Sequence, residues 1–326
     1  MPLPVYADIE AAARRLDGYA IKTPAIESPA LNERSGGRVL IKVECLQRTG
    51  SFKFRGAWNC ISQLDPTATP GGVVAFSSGN HAQGVAAAAQ IKGLPALIVM
   101  PADTPEIKKS NTRGYGAEVV TYDRATGNRE EIAARYVRER DAVLVPPFEN
   151  PHIIAGQGTA GLELADEAAR LGVHLDGVLV CCSGGGLAAG IALAMAAKSP
   201  ATRVHTVEPE GFNDYARSLR SGSREKNAVA SGSICDALLS IQPGEMTLAI
   251  NRSLLAEGLV VSDAEAAEAM RFAFEVLKIV VEPGGAVALA AVLAGKLPTT
   301  GRTIGIILSG GNADPALFAK ILRREI

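Results

Sequence analysis

The chain has 326 residues, 47% of them hydrophobic and 21% charged, with 33 basic side chains against 34 acidic ones and a net charge of −1. This balance excludes an intrinsically disordered chain, and it gives neither nucleic acid nor an anionic membrane a surface to bind by bulk electrostatics. The length suits two domains better than one.

The opening segment, MPLPVYADIEAAARRLDGYA, lacks the apolar core of a signal peptide. Apolar runs such as GVAAAAQIKGLPALIVM are broken by Lys92, Gly93 and Pro95, so none reads as a membrane span. The cysteines Cys45, Cys60, Cys181, Cys182 and Cys235 are odd in number and show no C-x-x-C spacing. That argues against a disulfide framework and against a structural zinc site. A cytoplasmic enzyme or binding protein is the expectation.

In chain order, short β-branched runs read as strands: RVLIKVE, GGVVAFSS, PALIVMP, AEVVTYD, DAVLVPP, DGVLVCCSGGG, TRVHTVEPE and RTIGIILSGG. Between many of them lie helical patterns, among them NHAQGVAAAAQIKG, REEIAARYVRERD, GTAGLELADEAARLG and GLAAGIALAMAAKSP. Strands alternating with helices predict an α/β fold with open, twisted parallel sheets. Such strands are buried on both faces, which accounts for their near-continuous hydrophobicity. Residues 72–147 hold enough alternations for a small mobile domain, leaving 1–71 plus 148–326 as the large one. The polar stretch Ser218 to Ser233 reads as a long surface loop.

The first chemical motif is TGSFKFRGA, Thr49 to Ala57, in which Lys53 stands between Phe52 and Phe54. An unpaired ammonium there is costly to bury. A Schiff base with an aldehyde cofactor removes the charge, and aromatic neighbours lower the amine's pKa into the range of a nucleophile and base. The bland alternative is a lysine snorkelling from an amphipathic element.

The second motif, AFSSGNHAQG, follows a strand and opens a helix. Ser77, Ser78, Asn80 and the free backbone N–H groups offer donors to a carboxylate or oxyanion. His81 alone reads as a hydrogen-bonder at the helix start rather than a catalytic base. The third motif, VLVCCSGGGLAAG, exposes the N–H groups of Gly184, Gly185 and Gly186 at a helix N-terminus, which suits a phosphate. Spacing also allows a dinucleotide: Gly184, Gly186 and Gly190 stand one residue longer than G-x-G-x-x-G, and Glu208 lies about 20 residues on, where a ribose-binding acid belongs. A dehydrogenase is therefore a rival reading. The last motif, IILSGGN, ends a strong strand at Ser309. All the glycine loops fall where carboxyl ends of parallel strands bind ligands.

Taken in order, SFKFRGA, SSGNHAQG, SGGGLAAG and LSGGN resemble the fold-type II (β-family) pyridoxal phosphate enzymes, in the serine/threonine dehydratase and serine racemase branch. The resemblance runs from about Thr23 to Asp314 and includes IKVECLQRTGSFK, PHIIAGQGTAGLE and VEPGGAVALAAV. It outweighs the dehydrogenase reading, because several ordered motifs are more specific than one glycine loop. It implies a tryptophan synthase β-subunit-like fold, pyridoxal 5′-phosphate as cofactor, an amino acid substrate and a homodimer.

The resemblance also implies roles. Lys53 holds the cofactor as a Schiff base and takes the substrate's α-proton. Phe52 packs on the cofactor ring, Asn80 bonds its phenolic oxygen, and Glu282 joins the cofactor-binding set. Gly184, Gly185, Gly186 and Leu187 give N–H groups to the phosphate. Ser309 faces the pyridine nitrogen, where a hydroxyl leaves the ring neutral and favours elimination over long-lived carbanions. Ser77, Ser78, Gly79, Asn80 and His81 surround the substrate carboxylate, and Ser78 stands where racemases carry a proton donor. VEPEGFND matches a metal loop, with Glu208, Asp214 and the Phe212 carbonyl as oxygen ligands suited to Mg²⁺ or Ca²⁺. A solvated acidic turn is the plainer reading of that spacing.

The implied reaction is α,β-elimination on L-threonine or L-serine, giving a 2-oxo acid and ammonia. A 3-hydroxyaspartate dehydratase and a serine racemase are alternatives on the same scaffold, and a non-catalytic pyridoxal phosphate binder is one outside the enzyme class. A hydroxyaspartate enzyme needs a second cation, for which Arg129 or His152 could serve. The chain departs from its relatives at Ala237, where they commonly have glycine, at Gly284, where they often have Ser or Thr, and at Phe148, where the mammalian racemase pattern has asparagine. No C-terminal effector domain is expected, nor feedback inhibition by a branched-chain amino acid.

Overall fold

The structure is a computed structural model that describes residues 2–104, 106–123 and 126–326. Helix α1 (Tyr6–Leu16) leads into strand β1 (Ala25–Ile26), helix α2 (Pro29–Ser35) and strand β2 (Arg38–Val43). Helix α3 (Lys53–Ile61) then crosses to a second unit: β3 (Val73–Phe76), α4 (Asn80–Lys92), β4 (Ala96–Pro101), α5 (Glu106–Gly114), β5 (Glu118–Tyr122), α6 (Arg129–Arg140) and β6 (Val143–Leu144). The chain returns through α7 (Pro151–Arg170), β7 (Gly177–Cys181), α8 (Gly186–Lys198), β8 (Arg203–Pro209) and α9 (Asp214–Ser221). It finishes with α10 (Glu245–Leu254), β9 (Leu255–Val261), α11 (Asp263–Phe272), α12 (Pro283–Leu293), β10 (Thr303–Leu308) and α13 (Pro315–Leu322).

Two sheets result. The larger has the order β1-β2-β10-β7-β8-β9 and the smaller β5-β4-β3-β6. The smaller is parallel throughout, whereas the larger carries one antiparallel edge, β1 against β2. The sequence pattern gave no sign of that edge, because a two-residue strand shows no alternation. β6 is likewise only two residues long, shorter than the run DAVLVPP suggested. Strand β10 lies between β2 and β7, and its residues Ile304, Ile306, Ile307 and Leu308 are buried. Helix α12 is buried along nearly its whole length against this sheet, which is why its sequence is apolar all round.

The polar stretch expected to be a loop from Ser218 is helical as far as Ser221. The reason is Glu208. Its buried carboxylate accepts hydrogen bonds from the backbone N–H groups of Tyr215 and Ala216, at 2.9 and 2.7 Å, in the first turn of α9. A helix start is thus capped from another element, and local propensity does not reveal it.

Candidate active site

The segment before α3 places Lys53. Thr49 and Gly50 both adopt left-handed backbone angles, φ 65° and 73°, and turn the chain beneath the end of β10. A Cβ on Gly50 would lie 2.6 Å from Asn312 Oδ1, so glycine is required there. Asn312 Nδ2 donates to the Thr49 carbonyl at 2.8 Å, Ser51 bridges to Gly310, and Phe52 N donates to the Ser309 carbonyl at 3.1 Å. Lys53 is therefore stitched to the carboxyl end of β10 by backbone bonds on the residues just before it.

The half-buried Lys53 donates from Nζ to the Pro147 carbonyl at 2.9 Å and sits 5.2 Å from the centroid of the Phe52 ring. Burial pushes its pKa down to about 8, only partly offset by Cys181 and Glu282. Phe54, the other aromatic neighbour in sequence, does not face the amine. It stacks on Trp58 at 6.4 Å, on the opposite side of α3. One ring desolvates the lysine, not two, because residues one apart on a helix point about 100° away from each other.

Arg55 has the place its sequence neighbourhood concealed. It is fully buried and bonds Glu44 at 2.7 and 2.8 Å and Glu163 at 2.7 and 2.9 Å. Burial alone would raise Glu44, and Arg55 outweighs it, holding that carboxyl below its usual range. The pair anchors α3, and with it Lys53, to β2's end and to α7.

The loop after β3 brings Ser77, Ser78 and Gly79 to the start of α4. Ser77 Oγ accepts from Gly79 N at 3.2 Å, and a Cβ on Gly79 would meet nothing within 4 Å. There is open space over these N–H groups. Asn80 Nδ2 donates to Glu282 Oε1 at 2.5 Å, and Asn80 Oδ1 accepts from Asn312 Nδ2 at 2.7 Å. Glu282, 4% exposed, is raised to about 7 by burial and by Asp236.

His81, in the first turn of α4, hydrogen-bonds away from its own helix. It is buried, and Nε2–H donates to the Val145 carbonyl at 2.9 Å, which leaves Nδ1 an acceptor without a partner. Burial and the nearby Lys53 depress its pKa to about 3, so the ring is neutral.

The glycine loop after β7 is hemmed in by aromatic rings. A Cβ on Gly184 would sit 2.3 Å from Phe148, one on Gly185 would sit 2.4 Å from Tyr215, and one on Gly186 would sit 2.9 Å from Phe148. No other residue fits at these positions, and Gly185 also has φ +91°. Gly186 and Leu187 begin α8, so the loop's amides and the helix dipole both favour an anion. This cradle of bare backbone, with a desolvated lysine nearby, fits a phosphate-bearing aldehyde such as pyridoxal phosphate. Ser309, 4% exposed, completes the cluster, and its Oγ accepts from the Cys181 thiol at 3.1 Å. Sequence reasoning assigned no role to Cys181, Asn312 or Arg55.

Of the two candidate second cations, His152 lies apart and Arg129 lies beside the Ser77 loop. His152 Nδ1 pairs with Gln63 at 3.2 Å, and the His152 carbonyl accepts from Asn59, so this side chain is engaged near the start of α7 rather than with the Lys53 cluster. Arg129 lies 5.4 Å over the ring of Phe76, the residue preceding Ser77, and also pairs with Glu130 at 2.9 Å. In the acidic loop, Glu208 and Asp214 are fully buried and Phe212 is 3% exposed. Asp214 Oδ1 accepts from Asn227 at 2.6 Å, but its Oδ2 is buried without a partner. Burial pushes Glu208 well above its ordinary value, with Asp214 adding to the effect, and burial raises Asp214 to about 6. The solvated acidic turn is therefore ruled out. Among the described residues no group of three or more His, Cys, Asp or Glu gathers as a metal site. No helix among them is long and apolar enough to cross a membrane.

Residues 16–310 match the family model described as pyridoxal-phosphate dependent enzyme. An L-threo-3-hydroxyaspartate ammonia-lyase from a Pseudomonas species is 44% identical over 99% of this chain and 100% of its own length. An L-threonine ammonia-lyase from Thermotoga maritima is 39% identical over 98% of this chain and 78% of its own. The structure of maize serine racemase superposes with a TM-score of 0.92 at 36% identity, covering 99% of this chain and 98% of that one.

Proposed function

The chain belongs to the family of pyridoxal-phosphate dependent enzymes, and from that premise we propose that it catalyses α,β-elimination on a β-hydroxy amino acid, L-threonine or L-serine. The observation that carries the reading is Lys53, a desolvated amine with a pKa lowered to about 8, beside a glycine cradle and an open helix N-terminus. When bound, pyridoxal phosphate supplies an electron sink for the charge left at the substrate's α-carbon.

The residues do the rest. Gly184, Gly185, Gly186 and Leu187 hold the phosphate through backbone N–H groups. Phe52 and Ser309 fix the ring in position, and Asn80, held by Glu282 and Asn312, presents its amide to the cofactor's edge. The N–H groups of the Ser77–Asn80 loop bind the substrate carboxylate and orient the α-proton toward Lys53 Nζ. Lys53 takes that proton. The β-hydroxyl departs as water, the proton taken from the α-carbon balancing it overall, and the resulting enamine is hydrolysed to a 2-oxo acid and ammonia. Neutral His81 adds no charge beneath this loop, so the carboxylate is held by dipoles. Ser78, which the resemblance sets where racemases carry a proton donor, is the candidate donor for racemisation beside elimination.

A second reading, 3-hydroxyaspartate as substrate, is supported by Arg129 over Phe76 beside the Ser77 loop, and by the 44% identity to the Pseudomonas enzyme. Assaying 2-oxo acid release from threonine, serine and 3-hydroxyaspartate separates the two. Lys53→Ala should stop release from all of them.

The unpartnered Asp214 Oδ2 supports Mg²⁺ or Ca²⁺ at Glu208, Asp214 and the Phe212 carbonyl. We extend the reading to a homodimer, supported by the exposed apolar side chains Phe274, Val276 and Val280, and to the cytoplasm, which suits free cysteines. The mobility of residues 72–147 belongs to the same reading. Proteolysis with and without substrate would test it.

A further inference from the structure

We infer that Cys181 is a positioning residue for Ser309: its thiol donates to Ser309 Oγ and thereby commits the serine's own O–H to the cofactor's ring nitrogen. This rests on the proposed reading of Ser309 as the partner of that nitrogen.

Cys181 ends β7 and Ser309 follows β10, and these strands are parallel neighbours with Gly177 opposite Ile304 and Leu179 opposite Ile306. Continuing that register sets Cys181 opposite Leu308, one residue before Ser309, and Sγ lies 3.1 Å from Oγ. Both residues are 4% exposed, so water does not compete for the bond. The adjacent Cys182 is not equivalent. Its sulfur meets the Ser183 carbonyl at 3.8 Å.

Burial pushes the Cys181 thiol up to about 11, so at neutral pH it is an S–H donor and not a thiolate. A serine hydroxyl has one donor and two acceptor sites. An unprotonated pyridine nitrogen only accepts, so it is satisfied only if the Ser309 proton points at it. With that proton spent, Ser309 can meet the sulfur only through a lone pair, and the thiol must donate. Were the serine instead to donate to sulfur, the ring nitrogen would face an oxygen lone pair and stay unsatisfied, which is costly in a buried site. The cysteine therefore sets the direction of the serine's hydrogen bond, and a neutral ring is the state this arrangement accommodates.

The test uses the wild-type holoenzyme and Cys181→Val, Cys181→Ser and Ser309→Ala, each reconstituted with ring-¹⁵N pyridoxal phosphate. Valine is one methyl larger than the thiol and cannot donate, and serine restores a donor. The readouts are the ring ¹⁵N resonance and the pH dependence of the visible absorbance band, with thermal unfolding as a check on folding. Cys181→Val should move the resonance more than half of the way to that of Ser309→Ala, and Cys181→Ser should stay near wild type. If Cys181→Val coincides with wild type while Ser309→Ala moves, the inference is overturned and the reading of Ser309 stands. If Ser309→Ala does not move either, the reading of Ser309 falls and takes the inference with it. Should valine prevent folding, Cys181→Ala gives the same comparison.

Discussion

Ala237 and Gly284 are complementary: a Cβ on Gly284 would lie 3.3 Å from the Ala237 methyl and 3.1 Å from Leu238 Cγ. The contact joins the start of α12 to the turn Asp236–Leu238. Gly284→Ser should destabilise the protein by about 1–3 kcal/mol through overpacking. Adding Ala237→Gly should recover part of that loss, with a coupling of at least about 0.5 kcal/mol in a double-mutant cycle. Strictly additive effects in urea unfolding would show that the two sites do not compensate.

Glu282 gives the cofactor-free protein a pH dependence. Burial and Asp236 raise its carboxyl from 4.5 to about 7, against the opposing influence of Asn80, Lys108 and Lys53. A carboxyl raised on folding binds its proton more tightly in the native state. Its contribution is fully present below pH 4.5 and is lost as pH rises through about 7. The loss should be on the order of 3 kcal/mol across that window. Glu282→Gln should flatten the corresponding part of the stability curve, as followed by urea unfolding at several pH values. An unchanged slope would mean that Glu282 is not the group responsible.

Arg55 holds the helix that begins at Lys53. Arg55→Met should cost about 3–5 kcal/mol, because it strands the fully buried Glu44 carboxylate, whereas Glu163 keeps Lys42 at 2.6 Å. Neutralising Glu44 in the same chain, by Glu44→Gln, should return part of the stability. A loss below about 1 kcal/mol, the range of an exposed pair, would show that water or another cation takes Arg55's place.

The Glu208–Asp214 pair makes the metal proposal measurable without activity. Mg²⁺ or Ca²⁺ at a hundredfold excess over its dissociation constant should stabilise the protein by about 2.7 kcal/mol. A chelator should reverse the rise in unfolding temperature, and Asp214→Asn should abolish it. No shift with either cation would restore the pair to a purely structural role.

The glycine loops, the strand-end serine and the desolvated Lys53 were legible in the sequence because each is a local pattern. Strand, turn and helix follow one another within a few residues. What could not be read were the partners of those residues. Asn80 meets Glu282 across 202 positions, Cys181 meets Ser309 across 128, and Arg55 meets Glu163 across 108. Hydrophobic periodicity reports which face a residue is on, not what stands opposite. His81 illustrates the difference: its place at the start of α4 was evident, but its partner, the Val145 carbonyl, lies beyond three further strands. Phe54 illustrates another limit. Adjacency in sequence suggested that it flanks the lysine, and the turn of the helix carries it to Trp58 instead.

The most direct measurement is the visible absorbance spectrum of the purified protein, recorded before and after adding L-threonine, L-serine or 3-hydroxyaspartate, with 2-oxo acid assayed in parallel. A yellow band that changes with substrate, accompanied by 2-oxo acid, is expected for wild type, and Lys53→Ala should lose both. A colourless protein that takes up no pyridoxal phosphate, or a Lys53→Ala variant that still releases 2-oxo acid, would contradict the account.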